Sequence, residues 1–183
     1  MKSSLKKLVL VFLLVICRFT INAQTCVVKQ QDVVKGTMGK KTDKAVFIGQ
    51  SFIACKTGAL TTISFRIGGG NEVENVELRI FEDKKIAQKP LYKKPVKLPM
   101  PSLPVSNYED IIINIEKSNF QLEEGKTYTI GFFKTKSSEK QLLRFKSDNT
   151  NSFKEGSLVA NSKIPGGKRQ NKDVDMIFSF TIK

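Results

Sequence analysis

Histidine and tryptophan are both absent from these 183 residues. Without histidine there is no Ser-His-Asp or Cys-His nucleophile system and no imidazole metal site. The chain has neither a Cys-x-x-Cys pair nor the full Gly-x-x-x-x-Gly-Lys-Ser/Thr phosphate loop. Gly68-Gly69-Gly70 runs into Asn71 with no helix to receive a phosphate, so a hairpin tip is expected there. Without tryptophan, the aromatic platforms that sugars stack on are restricted to three tyrosines and to phenylalanine. Acid is scarce: 17 Asp and Glu stand against 31 Lys and Arg, a formal charge of +14. Arginine is scarcer still. Lysine is a hydrated point charge, whereas arginine supplies the bidentate fork that phosphates and bases call for. The balance therefore argues for general positive charge and against a nucleic-acid partner.

Only one apolar run is long, residues 8–17, and it follows Lys2, Lys6 and Lys7. Ten residues are too few to span a bilayer, which takes about 20. With Ile21-Asn22-Ala23 behind it, the segment is read as a secretion signal over 1–23, cleaved to leave Gln24 first. An uncleaved anchor and a lipid-modified Cys17 are the alternatives, the latter disfavoured by Ile16. Removal of 1–23 leaves 160 residues, one domain's worth, with a charge of +10 and no transmembrane segment. The product is expected to be secreted, periplasmic or on the cell surface. Cys26 and Cys55 then remain, an even pair in an oxidising compartment, and a disulfide is expected between them. Two free buried thiols are the alternative.

What is present is alternation. In 122–133, a turn at Glu124-Gly125-Lys126 leads into Tyr128, Ile130 and Phe132, which alternate with Thr127, Thr129 and Gly131. Period two puts the large apolar groups on one face of a strand. The chain's end has the same form, with Met176, Phe178, Phe180 and Ile182 inward. Further strands are read at 26–29, 45–54, 60–67, 75–81, 91–98, 110–116, 141–146 and 157–160. Pro95 confines the 91–98 strand to an edge or bulge. Residues 30–44 are read as loop, Pro99, Pro101 and Pro104 as a stiff connection, and 165–172 as a basic Gly-rich turn. About ten short strands without a helical period predict an all-β fold, a two-layer antiparallel β-sandwich.

The order of Gly49-Gln50-Ser51-Phe52-Ile53-Ala54, Gly58-Ala59-Leu60-Thr61-Thr62-Ile63, Val76-Glu77-Leu78-Arg79-Ile80-Phe81, Leu122-Glu123-Glu124-Gly125-Lys126-Thr127-Tyr128 and Asp175-Met176-Ile177-Phe178 resembles the jelly-roll-like, carbohydrate-binding-module-like β-sandwiches of secreted bacterial proteins. The resemblance implies carbohydrate or surface binding, without catalysis.

Four places can carry chemistry. Glu72-Val73-Glu74-Asn75-Val76-Glu77 resembles the Glu-x-Asp-x-x-Glu strand of a retaining glycosidase family, with Glu74 where aspartate is usual. Retention needs two carboxyls about 5–5.5 Å apart, and strand parity puts Glu77 opposite the other two. Tyr92, Asn107 and Tyr108 flank the proline-rich connection and can form a shallow ligand edge, while Tyr128 belongs to the core. Lys84, Lys85, Lys89, Lys93, Lys94 and Lys97 form one acid-free stretch. Six ammonium groups on an edge can hold an anionic glycan or surface polymer, or simply keep an exposed strand from pairing with another chain. Asp148, Asn149 and Asn151, with Asp173 and Asp175 nearby, offer oxygens of the kind calcium takes, or cap turns. No cofactor is expected. The sequence points to a secreted, non-catalytic binding module for an extracellular glycan or surface polymer. The alternatives are an adhesive protein making protein contacts and, third, a retaining glycosidase.

Overall fold

A computed structural model describes residues 25–30, 36–70, 72–73, 75–98, 107–150, 153–161, 170–171 and 173–183. The expected signal at 1–23 with Cys17, and Glu74, the three prolines of 99–104, Asn151 and most of the 165–172 turn lie outside them.

The described chain is a two-layer antiparallel β-sandwich. One layer holds eight strands: β1 (Cys26–Gln30), β2 (Gly36–Thr42), β4 (Gly58–Gly68), β7 (Tyr108–Asn114), β8 (Gln121–Leu122), β10 (Gln141–Asp148), β13 (Asp175–Met176) and β14 (Phe178–Ile182). The other holds six, in the order β12 (Gln170–Asn171), β11 (Ser157–Ala160), β3 (Val46–Ile53), β9 (Thr127–Lys134), β5 (Asn75–Glu82) and β6 (Tyr92–Lys97). The chain passes repeatedly from layer to layer in the manner of a jelly roll, so neighbours in space are far apart in sequence. The first strand pairs with the last, Cys26 opposite Ile182.

Alternation builds the interior. On β9, Tyr128, Ile130 and Phe132 face inward opposite Phe52, Gln50 and Ile48 of β3, and all are buried. Phenylalanines stitch the layers together. Phe65 of β4 meets Phe132 of β9 at 5.1 Å between ring centroids, and Phe180 of β14 meets Phe52 of β3 at 4.8 Å. These edge-on and tilted contacts suit the ring quadrupoles. The expected Cys26–Cys55 disulfide is present and joins β1 of the larger sheet to the turn after β3 of the smaller.

Gly68-Gly69-Gly70 is a crossover and not the expected hairpin tip: β4 and β5 lie in different layers. Its ends are fixed by Gly69 N–H to the Asn107 carbonyl and Glu72 N–H to the Leu142 carbonyl, both 2.9 Å. The stretch 36–42, expected as loop, is a strand held by β10. The last strand is broken at Ile177, whose N–H and carbonyl bridge Lys146 and Arg66.

Candidate functional site

The six-stranded sheet has an unusual outer face. By parity Phe47, Gly49 and Ser51 of β3, Phe81 of β5, Gly131 and Thr129 of β9, and Val159 of β11 all point away from the interior. Even so, Phe47, Phe81, Thr129, Ser51 and Val159 are buried. Phe47 and Phe81 meet edge to face at 5.1 Å. Paired Gly49 and Gly131 make the flat bed beneath. A Cβ on Gly49 would sit 2.7 Å from the Phe47 ring and from the Ile130 carbonyl oxygen, and one on Gly131 would strike the Ile48 carbonyl.

The cover comes from the β5–β6 connection. Asp83 turns the chain at φ 53°, its N–H bonded to the Thr127 carbonyl at 2.8 Å and its own carbonyl accepting from the Thr129 hydroxyl at 2.6 Å. Residues 84–87 then fold back across the sheet and return through Leu91 N–H to the Ile80 carbonyl, 2.8 Å. They stop short of β11. Between them lies a cavity of about 400 Å³ lined by Lys84, Lys85, Ile86, Ala87, Val159, Ala160 and Asn161.

The wall on the β11 side is committed. Asn161 Oδ1 accepts from Phe47 N–H at 2.9 Å and its Nδ2 donates to the Ala45 carbonyl at 3.4 Å. On the other side, the Lys84 and Lys85 ammonium groups have no ion-pair partner among the described residues. The cavity thus offers the half-buried Ile86 and exposed Ala87 as apolar surface over the buried Val159 and Ala160, with two cations that have no ion-pair partner among the described residues.

The other lysines of the stretch diverge. Lys93 and Lys97 stand on the outer face of β6, flanking Pro95, and Lys89 is on the exposed connection. Lys94 faces the opposite way and donates to the Asn114 carbonyl of β7 at 3.0 Å. The six do not share one row. β6 is the sheet's edge, as Pro95 required.

Tyr92 and Tyr108 are set apart. Tyr92 packs half-buried on Phe120 at 5.7 Å, beyond the far end of β7 from Tyr108. Tyr108 opens β7 on the outer face of the larger sheet, 51% exposed, with the Arg66 guanidinium 4.5 Å above its ring. Arg66 is in turn held bidentate by Asp110 at 2.7 and 2.8 Å. Asn107 is exposed and gives its carbonyl to Gly69.

The carboxylates of the glycosidase-like stretch are placed on different layers. Glu72 takes Lys41 at 2.7 Å and Leu142 N–H at 3.1 Å, both from the larger sheet. The lysine and that backbone bond hold its carboxyl below the usual range. Glu77 is on the smaller sheet, paired with Arg79 at 2.6 Å, whose guanidinium covers the Phe133 ring. The oxygen-rich loop closes on itself. Asp148 Oδ1 accepts from Thr150 N–H at 2.9 Å and its hydroxyl at 2.6 Å, while Asn149 Oδ1 sits 3.3 Å from the Ser147 hydroxyl. Among the described residues no group of three His, Cys, Asp or Glu could hold a metal.

Sequence reasoning read Asp175 only as an oxygen near a calcium-like loop, and passed over two interior polar groups, its partner Gln50 and Lys134. Asp175 and Gln50 are fully buried and joined at 3.0 Å. Gln50 Oε1 also takes Met176 N–H at 2.9 Å, and Asp175 takes Phe153 N–H at 3.3 Å. Burial, with Asp148 adding repulsion, pushes the Asp175 carboxyl up to about 6 against the bonds from Gln50 and Phe153. Lys134 is the second. Burial pushes its amine down, and it donates to Thr135, Ser137 and Lys44 oxygens.

No family model matches this chain, and no curated protein does. Among solved structures it is similar to one described as a family 35 carbohydrate binding module from an environmental isolate, at 12% identity over 82% of this chain and 85% of that one, with a TM-score of 0.38.

Proposed function

We propose that this chain is a non-catalytic binding module for an acidic extracellular polysaccharide. The cavity behind the β5–β6 connection carries this reading: Lys84 and Lys85, with no ion-pair partner among the described residues, line an apolar space of about 400 Å³. Ligand pockets run from roughly 300 to 1,000 Å³, mostly apolar with a few placed polar groups. A uronate or sulfated sugar unit fits that description, its ring against Ile86 and Ala87 and its anion between the ammonium groups. The charge of +10 that remains once 1–23 is removed draws polyanions from a distance. The Cys26–Cys55 bond fits an oxidising compartment, in keeping with the export signal read at 1–23.

Calorimetry with polygalacturonate, alginate and heparin, against neutral glucan and mannan, tests it. Binding to at least one polyanion is expected, weakening with salt. Lys84→Ala with Lys85→Ala should cost about tenfold or more in affinity, and Lys93→Ala little. Equal binding of neutral glycans, or an unchanged double variant, would refute the reading.

A further inference from the structure

The larger sheet ends on β7, and among the described residues no strand pairs with its far side, where only Lys94 reaches a backbone group, the Asn114 carbonyl. Which backbone groups face that side follows from the register. Ile115 N–H bonds to the Thr61 carbonyl and Gly69 N–H to the Asn107 carbonyl, both 2.9 Å, and Ile113 lies opposite Ile63. In an antiparallel pair, alternate residues exchange both bonds with the partner strand. Residues 107, 109, 111, 113 and 115 therefore turn their N–H and C=O toward β4. Tyr108, Asp110, Ile112 and Asn114 turn theirs outward, to the open edge. Such an edge is a template for another strand.

Edges in soluble proteins are ordinarily blunted by lysine, proline, a bulge or brevity. β6 is blunted in this way, by Lys93, Lys94, Pro95 and Lys97. β7 reads Tyr-Glu-Asp-Ile-Ile-Ile-Asn over seven residues, with regular pairing throughout and no proline. The second of its three isoleucines, Ile112, is 73% exposed, more than any other large apolar side chain described.

We infer that β7 is a homodimer interface, pairing antiparallel with β7 of a second copy about a two-fold axis through Ile112. The sequence is self-complementary in that register. On the outer face Ile112 lies beside its own copy, and Asp110 lies opposite Asn114 of the second chain. On the inner face each Ile111, half-buried in the monomer, gains Ile113 of the other. The acidic end, Glu109 and Asp110, meets the end of the other β7 where Lys94 of β6 is seated, and Glu116 near that end is already paired with Lys183 at 3.0 Å. That lysine is already seated on the Asn114 carbonyl at 3.0 Å, within reach of a Glu109 from the second chain. An isologous contact of this kind closes on itself and leaves no growing fibre. Charge complementarity selects a second copy over an unrelated strand, because it sets acid against lysine at both ends at once. The inference is independent of the sugar site, which lies on the other sheet.

Sedimentation velocity and amide exchange on the purified protein test it. A dimer is expected, with Asp110 and Ile112 amides becoming protected as concentration rises. Ile112→Lys places two ammonium groups side by side on the axis, and should raise the dimer dissociation constant by about tenfold or more. Melting temperature should hold, since the side chain is exposed. Glu109→Lys should weaken the dimer, and Lys94→Glu added to it should restore it. A monomer up to about 100 µM, weaker than most specific interfaces, would overturn the inference. So would a dimer indifferent to Ile112→Lys, amides that stay unprotected, or a charge swap that restores nothing.

Discussion

On the outer face of β11, β3, β9 and β5, Val159, Phe47 and Phe81 are buried, and glycines replace side chains beneath the rings. On the outer face of β4 and β14, Thr62, Ser64, Ser179 and Thr181 are partly open to solvent, and Val27 of β1 is 50% exposed. Both faces belong to antiparallel sheets over the same interior. The difference lies in what the connection at the sheet end does. The β5–β6 connection doubles back over its own sheet and creates a second, smaller apolar layer, and the unfilled part of that layer is the candidate sugar cavity. A sheet face ordinarily left wet thus becomes binding surface through one loop of nine residues or so.

The sharpest way to break this comparison is to truncate one residue on each outer face. Phe81→Ala should lose about 3–5 kcal/mol, the range for a buried aromatic. Val27→Ala should stay within about 0.5 kcal/mol, as exposed positions do. Urea unfolding measures both. A small loss at Phe81 would mean the loop does not seal that face, and the cavity argument would fall with it.

A second contrast lies inside the sandwich, between the phenylalanine-stitched centre and the end where Asp175 and Gln50 meet. A carboxyl ordinarily near 3.8 that titrates at about 6 in the fold binds its proton more tightly folded than unfolded. Its contribution is fully present below the unfolded value and is lost as pH rises through about 6. The cost above that point is on the order of 3 kcal/mol. Stability should therefore fall between pH 4 and 6 wherever this group dominates, opposite to the usual acid denaturation. Asp175→Asn should flatten that part of the profile. A wild-type curve that rises steadily from pH 4 to 7, unchanged by the substitution, would show that Asp175 is not the controlling group.

Much of the fold was legible because it rests on side-chain alternation. Tyr128, Ile130 and Phe132 declared an inward face, Pro95 declared an edge, and Cys26 and Cys55 had only each other once Cys17 was set aside. What sequence missed is what side chains do not encode. β2, Gly-Thr-Met-Gly-Lys-Lys-Thr, has no apolar period and exists through backbone pairing with β10. Thr129 looked like a wet position because alternation says nothing about a loop lying on the far face. The lysines were read as one edge because they are close in sequence. A hairpin sends neighbours to opposite faces, so Lys94 turned to Asn114 while Lys93 and Lys97 turned out. Tyr92 and Tyr108 flank one connection, yet the two strands it joins belong to different layers, and their tyrosines end far from each other. Gln50 and Asp175 met across 125 residues, beyond the reach of any local pattern.

The two sheet edges give the finest comparison. β6 and β7 are edges of different layers, bridged by Lys94 to Asn114, and differ sharply in sequence. If lysine and proline are what keep β6 alone, then Lys93→Thr, Pro95→Val and Lys97→Thr together should leave the monomer's stability within about 0.5 kcal/mol, because all three are exposed. Their effect should fall on association. Removing two charges and restoring an edge N–H makes β6 resemble β7, so higher oligomers should form through a second open edge. Light scattering against concentration measures it, with Ile112→Lys in the background to silence β7. A triple variant that stays as dispersed as wild type would show that β6 is protected by its own twist and not by its charges.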